Sequence, residues 1–414
     1  MLRVLRNRTF AALFAAQVVA LLGTGLLTVA LGLLAYDLAG DGAGAVLGTA
    51  LAIKMAAFVF VAPVIIALTH RLSRRRLLVA ADTVRAVIAL SLPFVEHAWQ
   101  IYLLIFVLQA ASATFTPVFQ SVLPAVLVDE DDYTRGLSMS RLAYDLESLL
   151  SPVVAAALLT ITTYDHLFLG TVLGFVLSGL LVLRTPLPVG SVARTAGSLL
   201  QATTLGARLM WQRPVLRALL MLNMAVAAAT ALVVVNSVVY VHYLLEADGS
   251  AMAVLLACYG GGSMVVALAL PRLLSAITDR RVMVTGAAAV ATGLAAAAVV
   301  LATHPPAPVA WPLLATLWVA LGAGTSLVNT PAARLLRFQS EADTRTTVFT
   351  AQFALSHACF LVTYPLAGWL GSLAGQPVAA AALAGLACAA AVLARRTWPA
   401  AVGIENRVPA VGAV

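Results

Sequence analysis

Long apolar segments recur along the whole chain, and they constrain its fold more than any other feature. Each is close to the stretch of about 20 apolar residues that a helix needs to cross the hydrocarbon core of a bilayer. Unpaired backbone amides are too costly in lipid, so segments of this length must be helical. Twelve qualify: 10–36, 43–69, 77–95, 99–124, 137–161, 166–184, 214–245, 251–272, 282–303, 309–331, 346–372 and 376–394. The sequence therefore predicts an all-α membrane protein with twelve transmembrane helices.

The composition agrees with lipid as the solvent of this chain. Of its 414 residues, 62% are hydrophobic and 10% are charged, whereas a soluble domain carries charge at about a quarter of its positions. The net charge of +8 occurs as short arginine clusters between apolar segments, without a basic domain. We therefore expect no nucleic acid partner.

The basic residues divide the loops into two sets. One set holds arginines, among them Arg71, Arg135, Arg213 and Arg281, while the opposite set holds carboxylates and neither Arg nor Lys. Basic residues accumulate on the cytoplasmic side of membrane proteins. We therefore predict a multi-pass protein of the plasma (inner) membrane with both termini cytoplasmic. The number of spans must then be even, which excludes seven-span receptors.

A weak internal repeat divides the chain into halves. Segment 67–82 (ALTHRLSRRRLLVAAD) corresponds to 271–286 (PRLLSAITDRRVMVTG), and Arg76 and Arg281 lie 205 residues apart, close to half the chain. A repeat at half-length is typical of transporters built from duplicated bundles. We predict two pseudo-symmetric six-helix bundles (1–184 and 214–394), a cytoplasmic linker with an amphipathic helix (185–213) and a cytoplasmic tail (395–414). A disordered linker is the alternative for 185–213.

With six plus six spans, a long central loop and both termini inside, the chain resembles the major facilitator superfamily. The most specific element is the loop after the second span, where that family carries Gly-x-x-x-Asp-Arg-x-Gly-Arg-Arg. This chain keeps Arg71, Arg74 and Arg75 but has His70 in place of Asp and Ser73 in place of Gly. The resemblance implies a transporter that moves a small solute by alternating access.

In that family the loop latches the two halves in the outward-open state through charge pairs at helix ends. The resemblance therefore gives a latch role to His70, Arg71, Arg74, Arg75, Asp82 and Arg85. Because His70 is not acidic, either Asp82 or the acidic run 129–132 would supply the counter-charge. Two alternatives remain: the arginines only fix topology, and Asp82 and Arg85, at i and i+3, only neutralise each other.

The fifth segment bears on the direction of transport. Antiporters of the family carry a Gly-rich pattern ending in Gly-Pro there, and this chain reads ESLLSPVV, with Pro152 kept and Ser151 in place of Gly. The likeness is to bacterial exporters of drugs, siderophores or metal ions. We expect a proton-coupled exporter, an antiporter, of a small amphipathic or cationic solute. The alternatives are a metal-ion or siderophore exporter of the same fold and a non-transporting membrane receptor or scaffold.

Charged residues within the spans indicate function, since each costs about 2.5–3.5 kcal/mol on insertion scales. Lys54, the only lysine, lies midway through the second segment, and Arg141, Asp145 and Glu147 lie in the fifth. Arg141 and Asp145 are at i and i+4 and can neutralise each other, whereas Glu147 points elsewhere on the helix. We predict that Glu147, helped by Asp145, is the proton-coupling acid and Lys54 its gating partner. A structural ion pair is the alternative.

Uncharged polar residues in the spans mark the predicted cavity. In the family the first, fourth, seventh and tenth spans surround the cavity, and the resemblance implies the same here. The candidates are Gln17, Thr24, Thr28, Gln109, Ser112, Thr116, Asn223, Asn236, Asn329, Gln352 and His357. Any one of them could instead bond a neighbouring helix.

Patterns typical of enzymes are absent from the sequence. It contains neither a Walker loop nor a histidine pair with the spacing of a membrane metalloenzyme. We therefore expect no catalysis, no cofactor and no resident metal. The expected partners are a small-molecule substrate, protons as coupling ion and the lipid bilayer, and the protein is expected to be a monomer.

Overall fold

The structure, a computed structural model, describes residues 2–57, 60, 73–127, 129–186, 199–340 and 345–399. These residues form thirteen α-helices joined by turns and short 3-10 segments, and they contain no β-strand. The helices before residue 213 are α1 (Arg8–Ala39), α2 (Ala43–Ala56), α3 (Arg74–Ser91), α4 (Ala98–Val126), α5 (Glu130–Leu159), α6 (Asp165–Arg184) and α7 (Leu199–Gln212). Those after it are α8 (Pro214–Tyr243), α9 (Gly249–Ala276), α10 (Asp279–Thr303), α11 (Ala307–Gln339), α12 (Arg345–Ala374) and α13 (Gln376–Thr397). The all-α prediction is confirmed.

Ten stretches of the described helices are long and apolar enough to cross a membrane. The first, Arg8–Ala56, has 49 residues and combines α1 with α2, which a 3-10 turn at Gly40–Gly42 separates. Helix α5 has 30 residues, and its described apolar stretch is Leu150–Leu159.

Helices α1 and α8 lie in the interior of the helix assembly. Half of the residues of α1 and most of those of α8 are buried, and neither helix exposes a large aliphatic side chain. Helices α3, α6 and α9, in contrast, expose apolar side chains such as Val87, Leu173 and Leu268. Extended apolar surface of this kind is rare on soluble monomers, and it fits contact with lipid.

Polar contacts between helix ends recur at corresponding places in the two halves of the sequence. Before α1, Asn7 Nδ2 donates a hydrogen bond of 3.2 Å to the carbonyl of Val126, where α4 ends. Before α8, Arg213 Nη1 donates to the carbonyl of Gln339, where α11 ends. The last carbonyls of a helix have no partner within it, so these side chains satisfy groups that would otherwise be unpaired.

A second pair of contacts follows the same rule. Arg75, the second residue of α3, donates from Nη2 to the carbonyl of Thr185 just after α6, at 2.6 Å. Arg280, the second residue of α10, donates from Nε to the carbonyl of Trp398 just after α13, at 3.3 Å. Arg75 and Arg280 are 205 residues apart, the spacing of the internal repeat. These four contacts, which we call the helix-end ties, agree with a duplicated architecture. The boundaries of the two bundles stay a prediction.

The helices before and after α7 contact each other mainly through α2 with α12 and α5 with α9. In the first of these contacts the two backbones touch. A Cβ atom added to Gly48 would lie 2.6 Å from the carbonyl oxygen of Tyr364, and one added to Gly368 would lie 2.1 Å from the carbonyl oxygen of Gly44. Only residues without a side chain allow helices to approach so closely.

Further contacts between the halves lie at the same end of the assembly. The rings of Tyr36, near the end of α1, and His242, near the end of α8, are stacked with their centroids 3.7 Å apart. A Cβ atom added to Gly44 on α2 would lie 3.1 Å from Asn236 Oδ1 on α8. Within the second half, Asn236 Nδ2 donates to the carbonyl of Ala367 on α12 at 3.1 Å. We call this end the acidic end, because its turns and helix termini carry Asp37, Asp41, Glu246 and Asp248. The opposite end, with the helix-end ties, is the arginine end.

Candidate functional site

The lysine and the glutamate predicted from the sequence come near each other. Lys54 lies on α2, which begins at Ala43, and Glu147 lies on α5, which ends at Leu159. At 1.5 Å per residue, both lie about 16–18 Å from the acidic end, close to the middle of a hydrocarbon core. Both side chains are half-buried, and their charged groups attract each other electrostatically.

The carboxylate of Glu147 lies against α1. A Cβ atom added to Gly25 would be 3.0 Å from Glu147 Oε1 and 2.2 Å from Ser151 Oγ. Ser151 is buried, and its hydroxyl has no hydrogen-bond partner among the described residues. Since Glu147 and Ser151 are at i and i+4, they share a helix face. A buried hydroxyl beside a carboxylate can hold a water molecule or a polar group of a substrate.

His357 on α12 is a third titratable group at this place, and it interacts electrostatically with Lys54. Its Nδ1 lies 2.7 Å from the carbonyl oxygen of Phe353, so this nitrogen carries the proton. We call Lys54, Glu147 and His357 the central cluster. Two members precede α7 and one follows it, so a change of charge at one of them alters the electrostatic free energy of helices in both halves.

Five of the predicted residues have side chains outside the described part of the chain. The side chains of Arg141, Asp145 and Thr116 lie outside the described residues, although α4 and α5 carry them, and His70 and Arg71 lie outside them entirely. The predicted pair of Arg141 with Asp145, and the assistance of Asp145 to Glu147, therefore stay predictions.

Asp82 and Arg85 pair with each other inside the first half. Their side chains are buried and form a salt bridge, and Ser178 Oγ on α6 donates a hydrogen bond of 2.8 Å to Asp82 Oδ2. The guanidinium of Arg85 also lies 4.4 Å and 4.5 Å from the ring centres of Phe115 and Phe175. The pair thus connects α3 with α4 and α6. This agrees with the alternative that Asp82 and Arg85 only neutralise each other.

Among the loop arginines that the structure describes, Arg75 contacts its own half. Arg75 is held by its helix-end tie to Thr185, and the partners of Asp82 are Arg85 and Ser178 rather than an arginine of the loop. A charge pair that the sequence did not single out lies at the same end, where Arg334 Nε is 3.8 Å from Asp279 Oδ2. The latch between the halves stays a prediction.

Four of the predicted cavity residues bond neighbouring helices. Ser140 Oγ on α5 donates to Gln17 Oε1 on α1 at 2.8 Å. Asn223 and Gln352 exchange two amide hydrogen bonds of 3.1 Å and 3.2 Å between α8 and α12. Asn236 binds the backbone of α12, as described above. These contacts agree with the alternative that polar residues within the spans bond neighbouring helices.

The other cavity candidates differ in their surroundings. The hydroxyls of Thr24, Thr28 and Ser112 donate to carbonyls of their own helices. Gln109 is buried, whereas Asn329 is exposed. A hydroxyl that donates to its own helix keeps an oxygen lone pair, which can accept a hydrogen bond from a solute.

A polar group that sequence reasoning missed joins α8, α9 and α11. The hydroxyl of Tyr259 lies 3.1 Å from Thr230 Oγ1 and 3.1 Å from Thr325 Oγ1. Tyr259 follows Lys54 by 205 residues, the spacing of the internal repeat. The repeat itself was therefore a signal that could have found it, since Tyr259 is the counterpart of Lys54 in the second half.

Comparisons with known proteins agree with this architecture. The family model described as Major Facilitator Superfamily matches residues 13–245, more than half of the chain. Macrolide efflux protein A of Streptococcus pyogenes is 25% identical over 184 residues, which are 43% of this chain and 45% of that protein. The chain thus spans about half the length of this curated relative.

Solved transporter structures share the fold. A variant of the nucleoside transporter NupG superposes with a TM-score of 0.76 at 15% identity, covering 94% of this chain and 100% of that one. A bacterial homolog to the human lysosomal transporter Spinster, in an inward-facing and unoccupied conformation, gives a TM-score of 0.71 at 11% identity, covering 96% and 99%. At such identities the likeness concerns the fold alone.

Proposed function

This chain belongs to the Major Facilitator Superfamily, and from that premise we propose that it exports a small amphipathic or cationic solute in exchange for protons. As a member of this family it is a membrane transporter rather than an enzyme. The observation that carries the proposal is the central cluster, in which Glu147 and Lys54 attract each other near the middle of the helix assembly. Ionisable groups at this depth are costly and are kept for function.

The proposal includes twelve crossings of the plasma membrane. Arg8–Ala56 would reach about 70 Å as one helix, more than twice the thickness of the hydrocarbon core, so we propose that it crosses twice. Helix α5 crosses once in spite of its charges. Together with the other nine apolar stretches, this makes twelve spans, with bundles at 1–184 and 214–394. The arginine end then faces the cytoplasm, as do both termini.

Alternating access is the proposed cycle. In this topology the acidic end faces outside, and it is closed by the stacking of Tyr36 on His242 and by the backbone contact of Gly48 with Tyr364. These contacts support a state closed to the outside. They must separate for a solute to leave, and the helix-end ties would keep the helices of each half together during that motion.

Competition for one carboxylate explains how protons and solute are exchanged. Ionised Glu147 is stabilised by Lys54, and it attracts a cationic solute that enters from the cytoplasm. Once the site opens outward, a proton neutralises the carboxylate and the solute loses its counter-charge and leaves. The hydroxyl of Ser151, beside Glu147, offers a further hydrogen bond to either occupant.

The test is Glu147→Gln, which keeps the shape of the side chain and removes its charge. Proton-driven transport is expected to fall at least tenfold, while expression and membrane insertion are unchanged. The measurement is susceptibility of a deletion strain to a substrate panel, with and without a protonophore. Because a relative is named a macrolide efflux protein, the panel includes a macrolide.

The matched control is Glu96→Gln, since Glu96 is exposed in the turn before α4. It removes the same charge and is expected to leave transport as it is. If Glu147→Gln still exports the panel, and export stays sensitive to the protonophore, then Glu147 has no role in coupling.

The alternative of a metal-ion or siderophore exporter has less support. In the described part of the chain, no three His, Cys, Asp or Glu side chains come together in a group that could hold a metal ion. A metal-sensitivity assay in the same deletion strain separates this alternative from export of organic solutes.

A further inference from the structure

A cavity of about 340 Å³ lies at the acidic end, apart from the central cluster. Its walls are the turn between α1 and α2, the last turns of α8 and α10, and the junction of α12 with α13. Polar and aromatic side chains around it come from Asp41, Tyr243, His304, Ser372 and Gln376. Cavities that bind small molecules begin at about this size.

Two hydrogen-bond acceptors of this cavity come from Asp41 and Gln376. Asp41 contributes a carboxylate from the turn before α2. Gln376, the first residue of α13, contributes an amide oxygen that is buried and has no hydrogen-bond partner among the described residues. A buried acceptor left unpaired is costly, and a ligand with N–H donors would satisfy it once the Gln376 amide turns into the cavity.

Two rings form the apolar side of the cavity. Tyr243 and His304 meet edge to face, with their centroids 5.4 Å apart. His304 ends α10 with a φ of 43°, in the left-handed region that residues other than glycine rarely adopt. Such a backbone conformation persists only where its surroundings hold it. Here it places the imidazole ring beside Tyr243, at the wall of the cavity.

We propose that this cavity binds a small organic amine in its cationic form. The ammonium group of the amine lies between the carboxylate of Asp41 and the amide oxygen of Gln376. Its apolar part, best a flat ring, lies against Tyr243 and His304, where a cation also gains from the face of an aromatic ring. The class of ligand follows from Asp41, because its carboxylate attracts a cation, gives a neutral molecule no such gain and repels an anion.

Occupancy of this cavity has a consequence for the transport cycle, which rests on the proposed function. Asp41 belongs to the first half of the chain, and Tyr243, His304 and Gln376 belong to the second. A ligand that bridges them binds the closed acidic end better than an opened one. It therefore shifts the population toward the closed state by as much as its affinities for the two states differ.

The experiment uses purified full-length protein and benzylamine, with benzyl alcohol as a neutral analogue of the same shape. Equilibrium binding is measured for the wild type and for Asp41→Asn, Glu147→Gln and Glu246→Gln. We expect saturable binding of benzylamine but not of benzyl alcohol, and at least a fivefold rise in Kd in Asp41→Asn. Glu246→Gln is the matched control, because Glu246 is an exposed acid of the same end that does not line the cavity.

Glu147→Gln separates this site from the proposed transport site, since benzylamine is itself a small cation. Binding that survives Glu147→Gln and weakens in Asp41→Asn supports the outer site. Binding that is lost in Glu147→Gln and unchanged in Asp41→Asn assigns the amine to the central cluster and overturns the proposal, as does an absence of saturable binding. If Asp41→Asn folds poorly, Ser372→Trp fills the same cavity from an exposed position and must abolish binding.

The effect on the cycle has its own readout. Spin labels at Thr163→Cys and Glu246→Cys, in protein whose three native cysteines are replaced by Ser, report the distance across the acidic end. Benzylamine is expected to reduce the population with the longer distance. If binding is intact but the distances do not respond, the binding site stands and the proposed opening of this end is wrong.

Discussion

Gly25 is a residue at which α1 contacts Glu147 of the central cluster. Its missing side chain leaves the space that Ser151 and Glu147 occupy, since a Cβ atom there would lie 2.1 Å from Ser151 Cβ. A single methyl group at this place would push α1 and α5 apart and displace the carboxylate. The position of Glu147 opposite Lys54 therefore depends on Gly25, a residue that has no side chain.

Gly25→Ala is expected to lower the free energy of unfolding by about 1–3 kcal/mol, the usual cost of an added group in a packed core. Export should also fall, because Glu147 moves. The measurement is thermal unfolding in detergent together with the transport assay. The control is Gly385→Ala in α13, where a Cβ atom meets nothing within 4 Å; equal behaviour of the two variants would contradict the argument.

Asp248 is the second residue with a local, measurable role. It caps the N-terminus of α9, where its Oδ1 accepts a hydrogen bond of 3.0 Å from the backbone N–H of Ser250. The hydrogen bond from the Ser250 hydroxyl, together with that N–H, lowers the pKa of the Asp248 carboxyl. The ionised form is therefore the one that the folded protein favours, and the cap is fully formed at neutral pH.

Asp248→Ala is expected to cost about 1 kcal/mol at pH 7, as the loss of an N-cap usually does. The folded-state pKa is depressed, so the contribution of the carboxylate charge to the cap is present above about pH 4, the usual value for Asp, and is lost as the pH falls further. The difference in thermal unfolding between wild type and variant should therefore shrink below that pH, although the protonated carboxyl keeps an acceptor oxygen. Asp248→Asn keeps an acceptor and should lie near the wild type at pH 7.

At the scale of elements, α2 and α12 form the contact on which the proposed closure of the acidic end depends. Their backbones meet at Gly44, Gly48 and Gly368, and the indole N–H of Trp369 donates to Thr49 Oγ1 at 2.9 Å. Few side chains interdigitate where backbones touch, so the two helices can part without changing many rotamers. A contact of this kind suits helices that close and open repeatedly.

Gly48→Ala is therefore expected to favour the open acidic end, because its Cβ atom would lie 2.6 Å from the Tyr364 carbonyl oxygen in the closed arrangement. The spin-label pair described above should show a larger population with the longer distance. Gly261→Ala in α9, with open space around its Cβ position, is the matched variant and should leave the distances unaltered. Unaltered distances in Gly48→Ala would mean that this contact does not control closure.

At the scale of the whole molecule, hydropathy was sufficient to find the described transmembrane helices, because lipid demands long apolar helices. Lys54 and Glu147 were also visible, because charge stands out in such segments. The approach of Gly25 to Glu147 was not visible in the sequence, because α1 is apolar all round and its sequence does not reveal which face turns inward. Tyr259 was missed for a related reason: a tyrosine in a span is not expensive enough to attract notice.

The helix-end ties have a consequence for biosynthesis. The ties from Asn7 to Val126 and from Arg75 to Thr185 lie wholly upstream of α7, and those from Arg213 and Arg280 lie wholly downstream of it. None of the four connects the two halves. Two helix pairs, α1 with α4 and α3 with α6, can therefore be joined at their ends before α8 leaves the ribosome. The nascent chain need not wait for its C-terminus to begin assembling.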